Sequence, residues 1–240
     1  MLIDLNCDMG EETGNDQALM PWIRSANICC GYHAGNLLVT EQTILLASSH
    51  GVGVGAHPSF DDRENFGRKE VDCTYEEIYY LVTKQLEEFI TIAAKHAIRV
   101  QHVKPHGALY NMAARDRMVA SAFVSAVSGI DKNLEVYALS GSVLIHVAAE
   151  AGLKTRHEVF ADRSYMSDGS LTSRTQSNAL ITDENMALEQ VKQLISSGTV
   201  TTVDGLIIPL LAETICIHSD GSNAVQTAER IARYLRAGST

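Results

Sequence analysis

The sequence predicts an α/β fold, namely a seven-stranded parallel β/α barrel of the TIM-like kind in which residues 1–240 form a single domain. Short β-branched runs alternate with helical patterns along the whole chain, and no linker-like segment interrupts them. Because parallel neighbours need a connection long enough to hold a helix, this alternation predicts a parallel sheet. Polar side chains follow nearly every strand. A closed barrel gathers such positions around one opening, whereas an open sheet spreads them out.

Seven strands are predicted from runs of β-branched and apolar residues, and they span 2–6, 26–30, 52–56, 99–103, 134–139, 154–159 and 214–218. Helical patterns separate them at 17–24, 38–50, 75–96, 115–128, 143–151, 185–196 and 224–235. The third helix has the strongest signal, because Thr74 and Glu77 match a capping box and an apolar stripe at helical spacing follows them.

The composition is that of a folded protein with an acidic surface. Of the 240 residues, 45% are hydrophobic and only 4 are Pro, and the formal net charge is −10. This charge gives no electrostatic support for binding nucleic acid or anionic lipid. The first residues lack the pattern of a signal peptide and no run reaches 18 apolar residues, so we expect a cytoplasmic protein without a membrane segment. Five Cys without a CxxC pair favour reduced thiols.

Candidate functional side chains follow six of the predicted strands, and in a β/α barrel these positions line one cavity. They are Asn6, Asp8, Glu11, His33, His57, Lys104, His106, Asp162, Arg163, His218 and Asp220. A single His after a strand is often only a hydrogen-bonded structural residue, but four together are harder to explain in that way. For the other five, in helices or strand interiors, we expect a structural role: His50, His96, His102, His146 and His157.

Several of these residue types suggest acid–base or metal chemistry. Asp8 and Glu11 could form a general acid/base pair, because two carboxylates in one pocket push their pKa values apart; alternatively, they cap loops. Asp8, His57 and His106 could hold a divalent metal, although no HxH or HExxH spacing supports this. Lys104 could bind an anionic group of a substrate, or it could pair with Asp8.

The sequence contains no recognisable nucleotide-binding motif. The glycines of 51–55 do not match GxGxxG, and GxxxxGK[ST] does not occur. A GxSxG nucleophile turn is also absent, and Ser142 is explained as well by a helix cap as by a nucleophile. We therefore expect the chain to have no ATP site of its own.

Six motifs, in order and spread over nearly the whole chain, resemble those of the LamB/YcsF family, the A subunits of 5-oxoprolinase. They are DLNCDMGE at 4–11, SANICCGYHAG at 25–35, GAHP at 55–58, FGR at 66–68, VKPHGALYN at 103–111 and EVFADR at 158–163. The resemblance implies a barrel similar to those of glycoside hydrolases and deacetylases. It also implies ATP-dependent hydrolytic ring opening of 5-oxoproline to L-glutamate, carried out together with B and C partner subunits.

The resemblance further implies a division of labour, in which the partner subunits bind ATP and phosphorylate the lactam oxygen while this chain opens the ring. Catalytic roles would then fall to Asp8, Glu11, His33, His57 and His106. Substrate binding would fall to Asn6, Lys104, Asp162, Arg163, His218 and Asp220. A divalent metal on Asp8, His57 and His106 is compatible with this assignment.

The chain departs from the family pattern after the first motif and after two strands. The segment 12–16 is shorter than the usual loop, and Ser59 and Ser219 stand where Gly is common. These differences bear on substrate preference more than on fold. Two other functions stay open: a stand-alone metal-dependent deacetylase or amidohydrolase that needs no ATP, and a non-catalytic lactam-binding subunit.

Overall fold

A computed structural model describes residues 3–221 and 223–237. The strands are β1 (Asp4–Met9), β2 (Ser25–Cys29), β3 (Gly53–His57), β4 (Val100–Val103), β5 (Glu135–Leu139), β6 (Thr155–Phe160), β7 (Thr199–Thr201), β8 (Ile207–Pro209) and β9 (Thr214–Ile217). Seven of them are parallel and close into a barrel in the order β1-β2-β3-β4-β5-β6-β9. The other two, β7 and β8, form an antiparallel hairpin outside it. The predicted fold class is confirmed.

All seven predicted barrel strands occur, with small shifts at their ends. The largest shift is in β1, which was predicted at 2–6, and residue 2 lies outside the described residues. The strand continues to Met9, so Asp8 lies inside it and pairs with Asn27 of β2, instead of following it. The polar residues of this segment hid the strand, because a barrel strand can point polar side chains into the interior.

Eight helices occur among the described residues: α1 (Asp16–Leu19), α2 (Leu37–Ser49), α3 (Tyr75–Lys95), α4 (Gly107–Arg115), α5 (Arg117–Ile130), α6 (Val143–Glu150), α7 (Glu184–Ser197) and α8 (Ala224–Ala237). The capping box of α3 is confirmed, since Thr74 Oγ1 accepts from the N–H of Glu77 and the Glu77 carboxylate accepts from the N–H of Thr74. Within this part of the chain no helix has the length and apolar content needed to cross a membrane.

Two helix predictions were wrong in extent. The first helix stops at Leu19, and Pro21, which has no N–H and disfavours helical backbone before it, explains why it does not reach residue 24. The helix predicted at 115–128 is α5, which lies two residues further along, because Asp116 ends α4 and caps α5 by accepting from the N–H groups of Met118 and Val119. Helix α4 itself and the β7–β8 hairpin were not predicted.

A polar network fills the inside of the barrel beneath the strand ends. Asp4, Asn6 and Asp8 alternate along β1 and point inward. Thr214 Oγ1 donates to Asp4 Oδ2 at 2.6 Å and accepts from Asn6 Nδ2 at 2.7 Å. Asn27 Nδ2 donates to Asn6 Oδ1 at 2.7 Å and to Asp8 Oδ1 at 2.8 Å. Asp8 is therefore supported from below by side chains of other strands.

His102 completes this network from β4. Its Nε2–H donates to Asn27 Oδ1 at 2.8 Å, and its ring stacks on Tyr137 with centroids 4.1 Å apart. Burial, and secondarily the positive charge of Lys104, lowers the pKa of His102 to about 3. The imidazole is therefore neutral in the folded protein at any ordinary pH.

We expect replacement of His102 by Gln to make the free energy of unfolding depend less steeply on pH in the acid range. An unfolded His takes up a proton near pH 6.5 while the folded side chain stays neutral down to about pH 3, so acid favours unfolding across this window. The stabilising contribution is complete above pH 6.5 and is lost as the pH falls, with a slope of up to about 1.4 kcal/mol per pH unit. Denaturant unfolding at a series of pH values measures it. The exposed His146→Gln variant should keep the wild-type slope, and an equal slope in both variants would contradict the prediction.

Gly55 faces His102 across β3 and β4 and leaves no room for a side chain. A Cβ atom at this position would overlap with the His102 ring at Nε2. We expect Gly55→Ala to lower the free energy of unfolding by about 1–3 kcal/mol, because the imidazole must leave Asn27. Urea unfolding measures the loss. Gly129→Ala, in α5 with only the Tyr79 hydroxyl 3.6 Å away, is the control and should be neutral or slightly stabilising.

Candidate active site

The carboxyl ends of the barrel strands open into a cavity of about 700 Å³, a size that suits a small ligand. Its floor contains Asp8, His57, Lys104 and His106. Four arginines lie in its wall, namely Arg68, Arg115, Arg163 and Arg174. The cavity therefore has an acid–base floor and a basic wall.

Lys104 is a buried cation held between two buried carboxylates. Its Nζ lies 2.9 Å from Asp8 Oδ1, 2.9 Å from Glu158 Oε1 and 3.1 Å from Cys216 Sγ. Burial lowers the pKa of Lys104, but the carboxylates, Asp8 above all, outweigh this and hold it well above its usual value. Tyr110 Oη donates to the other oxygen of Glu158 at 2.7 Å. Of the two possibilities left open by the sequence, pairing with Asp8 is present.

Backbone carbonyls fix the tautomers of two histidines on the floor. His57 Nδ1 lies 2.7 Å from the Lys104 carbonyl oxygen, and His106 Nε2 lies 3.0 Å from the Phe66 carbonyl oxygen. A carbonyl oxygen only accepts, so these nitrogens carry the protons. In the neutral rings His57 Nε2 and His106 Nδ1 are then lone-pair acceptors, and they face each other at 2.9 Å.

Two carboxylate oxygens lie close to these two nitrogens. Asp8 Oδ2 lies 3.3 Å from His57 Nε2, and Glu11 Oε1 lies 3.4 Å from His106 Nδ1. The four ligand atoms lie within 4.8 Å of one another. With neutral rings all four are acceptors, so the cluster requires a proton or a cation among them. Imidazole nitrogens and carboxylate oxygens are also the donor set that a divalent transition metal takes, so the residues fit the predicted metal.

Glu11 has the acid–base behaviour of a group that exchanges protons near neutrality. It is buried, and His33 Nε2 lies 3.0 Å from its Oε1. Burial, and then the negative charge of Asp8, raises the pKa of Glu11 to about 7. A carboxyl group in this range can both accept and return a proton at physiological pH.

Asp8 is shifted in the opposite direction. Burial opposes its ionisation, but His57 and then Lys104 outweigh it and hold the pKa of Asp8 well below its usual value. Burial lowers the pKa of His33 and of His106 far below the usual value, so both rings are neutral, and they stack with centroids 3.7 Å apart. The environments thus separate an ionised Asp8 from a titrating Glu11, which is the pattern expected of an acid/base pair. Their catalytic roles stay a prediction.

A second carboxylate–histidine pair stands at the end of β9. Asp162 Oδ2 accepts from the His218 N–H at 2.8 Å, and Asp162 Oδ1 lies 3.0 Å from His218 Nδ1. Burial opposes the charge on Asp162, but His218 outweighs it and lowers the pKa of the carboxyl. The His218 ring lines the cavity, so Asp162 orients it from behind.

The predicted site residues fall into an inner and an outer set. Those in the cavity lining are Asp8, His57, Lys104, His106, Arg163 and His218. Those outside the lining are Asn6, Glu11, His33, Asp162 and Asp220. Glu11 and His33 contact the lining histidines, and Asn6 lies beneath Asp8. The barrel brings residues of five strand ends together, but their roles in binding stay predictions.

Several side chains of the site were not singled out from the sequence. Asn27, Tyr110 and Glu158 belong to motifs that carry the family resemblance, and their position in those motifs was the available signal. Arg68 ends the FGR motif and was likewise not assigned a role. Arg174 lies in the irregular segment 161–183, where no motif or periodicity pointed to it.

The departures from the family pattern lie close to the site. Gln85 holds Ser59, accepting from its N–H at 3.0 Å and donating to its carbonyl at 2.7 Å. Among the described residues the buried Ser219 hydroxyl has no hydrogen-bond partner, while the Ser219 carbonyl accepts from Asn15. Asp16 accepts from the N–H of Gly10 at 2.8 Å, which fastens the short segment to the first motif.

A family model described as the LamB/YcsF family matches residues 3–240. The chain belongs to the LamB/YcsF family. Among curated members, the 5-oxoprolinase A subunit of Staphylococcus carnosus is 46% identical over 98% of this chain and 95% of its own length. The 5-oxoprolinase A subunit of Shouchella clausii is 49% identical over 95% of this chain and 92% of its own length.

Solved structures agree with this membership. The lactam utilization protein from Thermus thermophilus is 36% identical, with a TM-score of 0.91 over 100% of this chain and 98% of that one. A T48 deacetylase gives a TM-score of 0.51 at 13% identity, over 99% of this chain and 84% of that one. At that identity the likeness concerns the fold alone.

Proposed function

We propose that this LamB/YcsF member is the A subunit of a cytoplasmic three-subunit 5-oxoprolinase, which opens the ring of 5-oxoproline to L-glutamate with hydrolysis of ATP. The observation that carries the proposal is the cluster of two carboxylates and two imidazoles at the floor of the cavity. The names of the curated relatives supply the substrate and the hydrolase activity on a cyclic amide. The partners are the B and C subunits, and ATP is bound mainly by them.

The chemistry explains why a lactam needs activation. An unstrained lactam is a poor electrophile, and phosphorylation of its oxygen by the partner subunits makes the ring carbon open to attack. Water adds to that carbon, the ring C–N bond breaks as the nitrogen is protonated, and a second water releases phosphate from the resulting acyl phosphate. The barrel therefore has to remove a proton from water and deliver one to nitrogen.

The floor residues match these two proton transfers. Glu11 receives the proton of the attacking water by way of His106, which lines the cavity and lies 3.4 Å from the Glu11 carboxylate. The Glu11 carboxyl titrates near neutrality, and His33 holds it in place. His57 and His106 carry protons between Glu11 and the ring nitrogen, since their facing nitrogens are 2.9 Å apart. Asp8 stays ionised and stabilises a protonated His57.

The predicted binding residues surround this floor. Lys104 and Arg163 supply positive charge to the cavity, and His218 contributes a ring nitrogen that Asp162 orients. Asn6 supports Asp8 from below through Asn27. A substrate the size of 5-oxoproline leaves room in this cavity for a phosphoryl group.

As the alternative to carrying protons, His57 and His106 would hold a divalent metal together with Asp8, with Glu11 within reach. Bound there, it would supply Lewis acidity and lower the pKa of a water molecule. His57 and His106 each donate their other N–H to a carbonyl, which is the arrangement that orients metal-binding imidazoles.

The same donor set favours a second candidate, a metal-dependent amidohydrolase or deacetylase that acts without ATP. The four converging acceptor atoms would serve that reaction equally well. Hydrolysis of simple amides or acetyl groups by the isolated chain with added zinc, and without ATP, would support this candidate.

Glutamate formation from 5-oxoproline and ATP tests the proposal. The purified chain is mixed with candidate B and C subunits, and each protein and ATP is omitted in turn. We expect glutamate only when all three proteins and ATP are present. No glutamate with folded partners would refute the assignment, and glutamate without this chain would refute its catalytic role.

A further inference from the structure

Two arginines on the rim of the cavity share one carboxylate. Arg68 ends the FGR motif, and Arg174 lies in the irregular segment 161–183, part of which lines the cavity. Arg68 Nη2 lies 3.0 Å from Asp220 Oδ2, and Arg174 Nη1 lies 3.9 Å from the same oxygen. Two guanidinium groups therefore converge on a point that a single oxyanion oxygen can occupy.

The other cations of the cavity are already engaged. Lys104 is held by Asp8 and Glu158. Arg163 is buried, and its guanidinium donates to the carbonyl oxygens of Thr172 at 2.6 Å and Ala179 at 3.3 Å. Arg163 thus braces the segment that carries Arg174.

The two rim arginines remain accessible, since 35% of the Arg68 side chain and 26% of the Arg174 side chain are exposed. Burial, and then the charge of Arg68, lowers the pKa of Arg174, so an added negative charge would stabilise the charged guanidinium there. The guanidinium of Arg68 also lies 4.6 Å from the centroid of the Phe66 ring, and the backbone carbonyl of Phe66 accepts from His106. The rim is thereby joined to the acid–base floor.

We propose that Arg68 and Arg174 bind the oxyanion of the substrate, and that Asp220 occupies this position in the free protein until the substrate displaces it. The identity of the anion rests on the proposed function, in which it is either the carboxylate of 5-oxoproline or the phosphoryl group of its activated form. Asp220, predicted to bind substrate, acts here as an internal competitor. Its carboxylate is 36% exposed and sits on a short connection after β9, so it can turn into solvent.

Three ligands separate the two sources of the oxyanion. Calorimetry with the full chain measures the Kd of 5-oxoproline, of inorganic phosphate, and of 2-pyrrolidinone, the same lactam without a carboxylate. The variants are Arg68→Gln, Arg174→Gln and Asp220→Asn. Arg115→Gln is the matched control, because Arg115 lines the same cavity but is paired with Glu70 at 2.6 Å. Thermal unfolding verifies that each variant is folded.

We expect each rim variant, Arg68→Gln and Arg174→Gln, to weaken oxyanion binding by about tenfold or more, as for a charged hydrogen bond lost. Asp220→Asn should tighten it, and Arg115→Gln should leave it within about twofold. Weakened binding of 5-oxoproline but not of 2-pyrrolidinone identifies the carboxylate as the anion, and weakened binding of phosphate identifies the phosphoryl group.

Two results would overturn the inference: oxyanions that do not bind the wild-type chain, or oxyanion affinity that both arginine variants retain. Failure of the proposed function looks different. If phosphate binding depends on Arg68 and Arg174 while the three-subunit assay with folded partners forms no glutamate, the oxyanion site stands and the lactam substrate is wrong.

Discussion

Asp8→Asn should slow glutamate formation by the assembled enzyme by about 10³-fold, the largest catalytic effect that we expect from one substitution. The amide can still accept from Lys104, but it places an uncharged group beside His57, which loses the carboxylate that stabilises its protonated form. Steady-state assays with saturating 5-oxoproline and ATP measure the loss as a change in kcat.

The control for this substitution is Asp61→Asn, an exposed carboxylate removed from the floor. It should keep wild-type turnover. Near-wild-type unfolding of Asp8→Asn would show that the lost activity is chemical. If Asp8→Asn keeps more than a tenth of the wild-type kcat, Asp8 is not part of the proton-transfer machinery.

Lys104→Met should produce the largest loss of stability, about 3–5 kcal/mol, because it leaves two buried carboxylates without their cation. That is a large part of the 5–15 kcal/mol or so that typically holds a domain folded. Adding Glu158→Gln to Lys104→Met should restore part of the loss, since one of the unpaired charges is then removed. Guanidinium unfolding monitored by circular dichroism measures both variants.

Lys132→Met, at an exposed position in a turn, is the matched control and should change stability by less than about 0.5 kcal/mol. A loss below about 1 kcal/mol for Lys104→Met would mean that water or protonation already compensates the two carboxylates. The double variant would then be no more stable than the single one.

Much of the fold was readable from the sequence because the barrel repeats one local rule. Most strands contain apolar or β-branched runs, each connection holds a helix, and the alternation itself implies parallel pairing. The end of strand β1 was misplaced because Asp8 looks like a loop residue unless the interior of the barrel is known to be polar. The β7–β8 hairpin was missed because it is short and lies outside the repeating pattern.

The site was predicted as a set of residues more successfully than as an arrangement. Their positions after predicted strands pointed to Asp8, His57, Lys104 and His106, and these residues meet on the cavity floor. Pairing could not be read in the same way, because the partner of a buried cation is decided by which side chains face it across the barrel. Glu158 looked like a strand residue, yet it shares Lys104 with Asp8.

The closure of the barrel by β1 and β9 has a consequence for the newly made chain. Asn6 and Thr214, which hydrogen-bond across this seam, are separated by 208 positions, so one of the first strands to be synthesised waits for the last to find its neighbour. Until then the cluster around Glu11 is open to water, and an unburied carboxyl has an ordinary acidity. A chain that is still being synthesised thus has nearly all of the reactive residues, but Glu11 acquires its raised pKa only when the final strand closes the barrel.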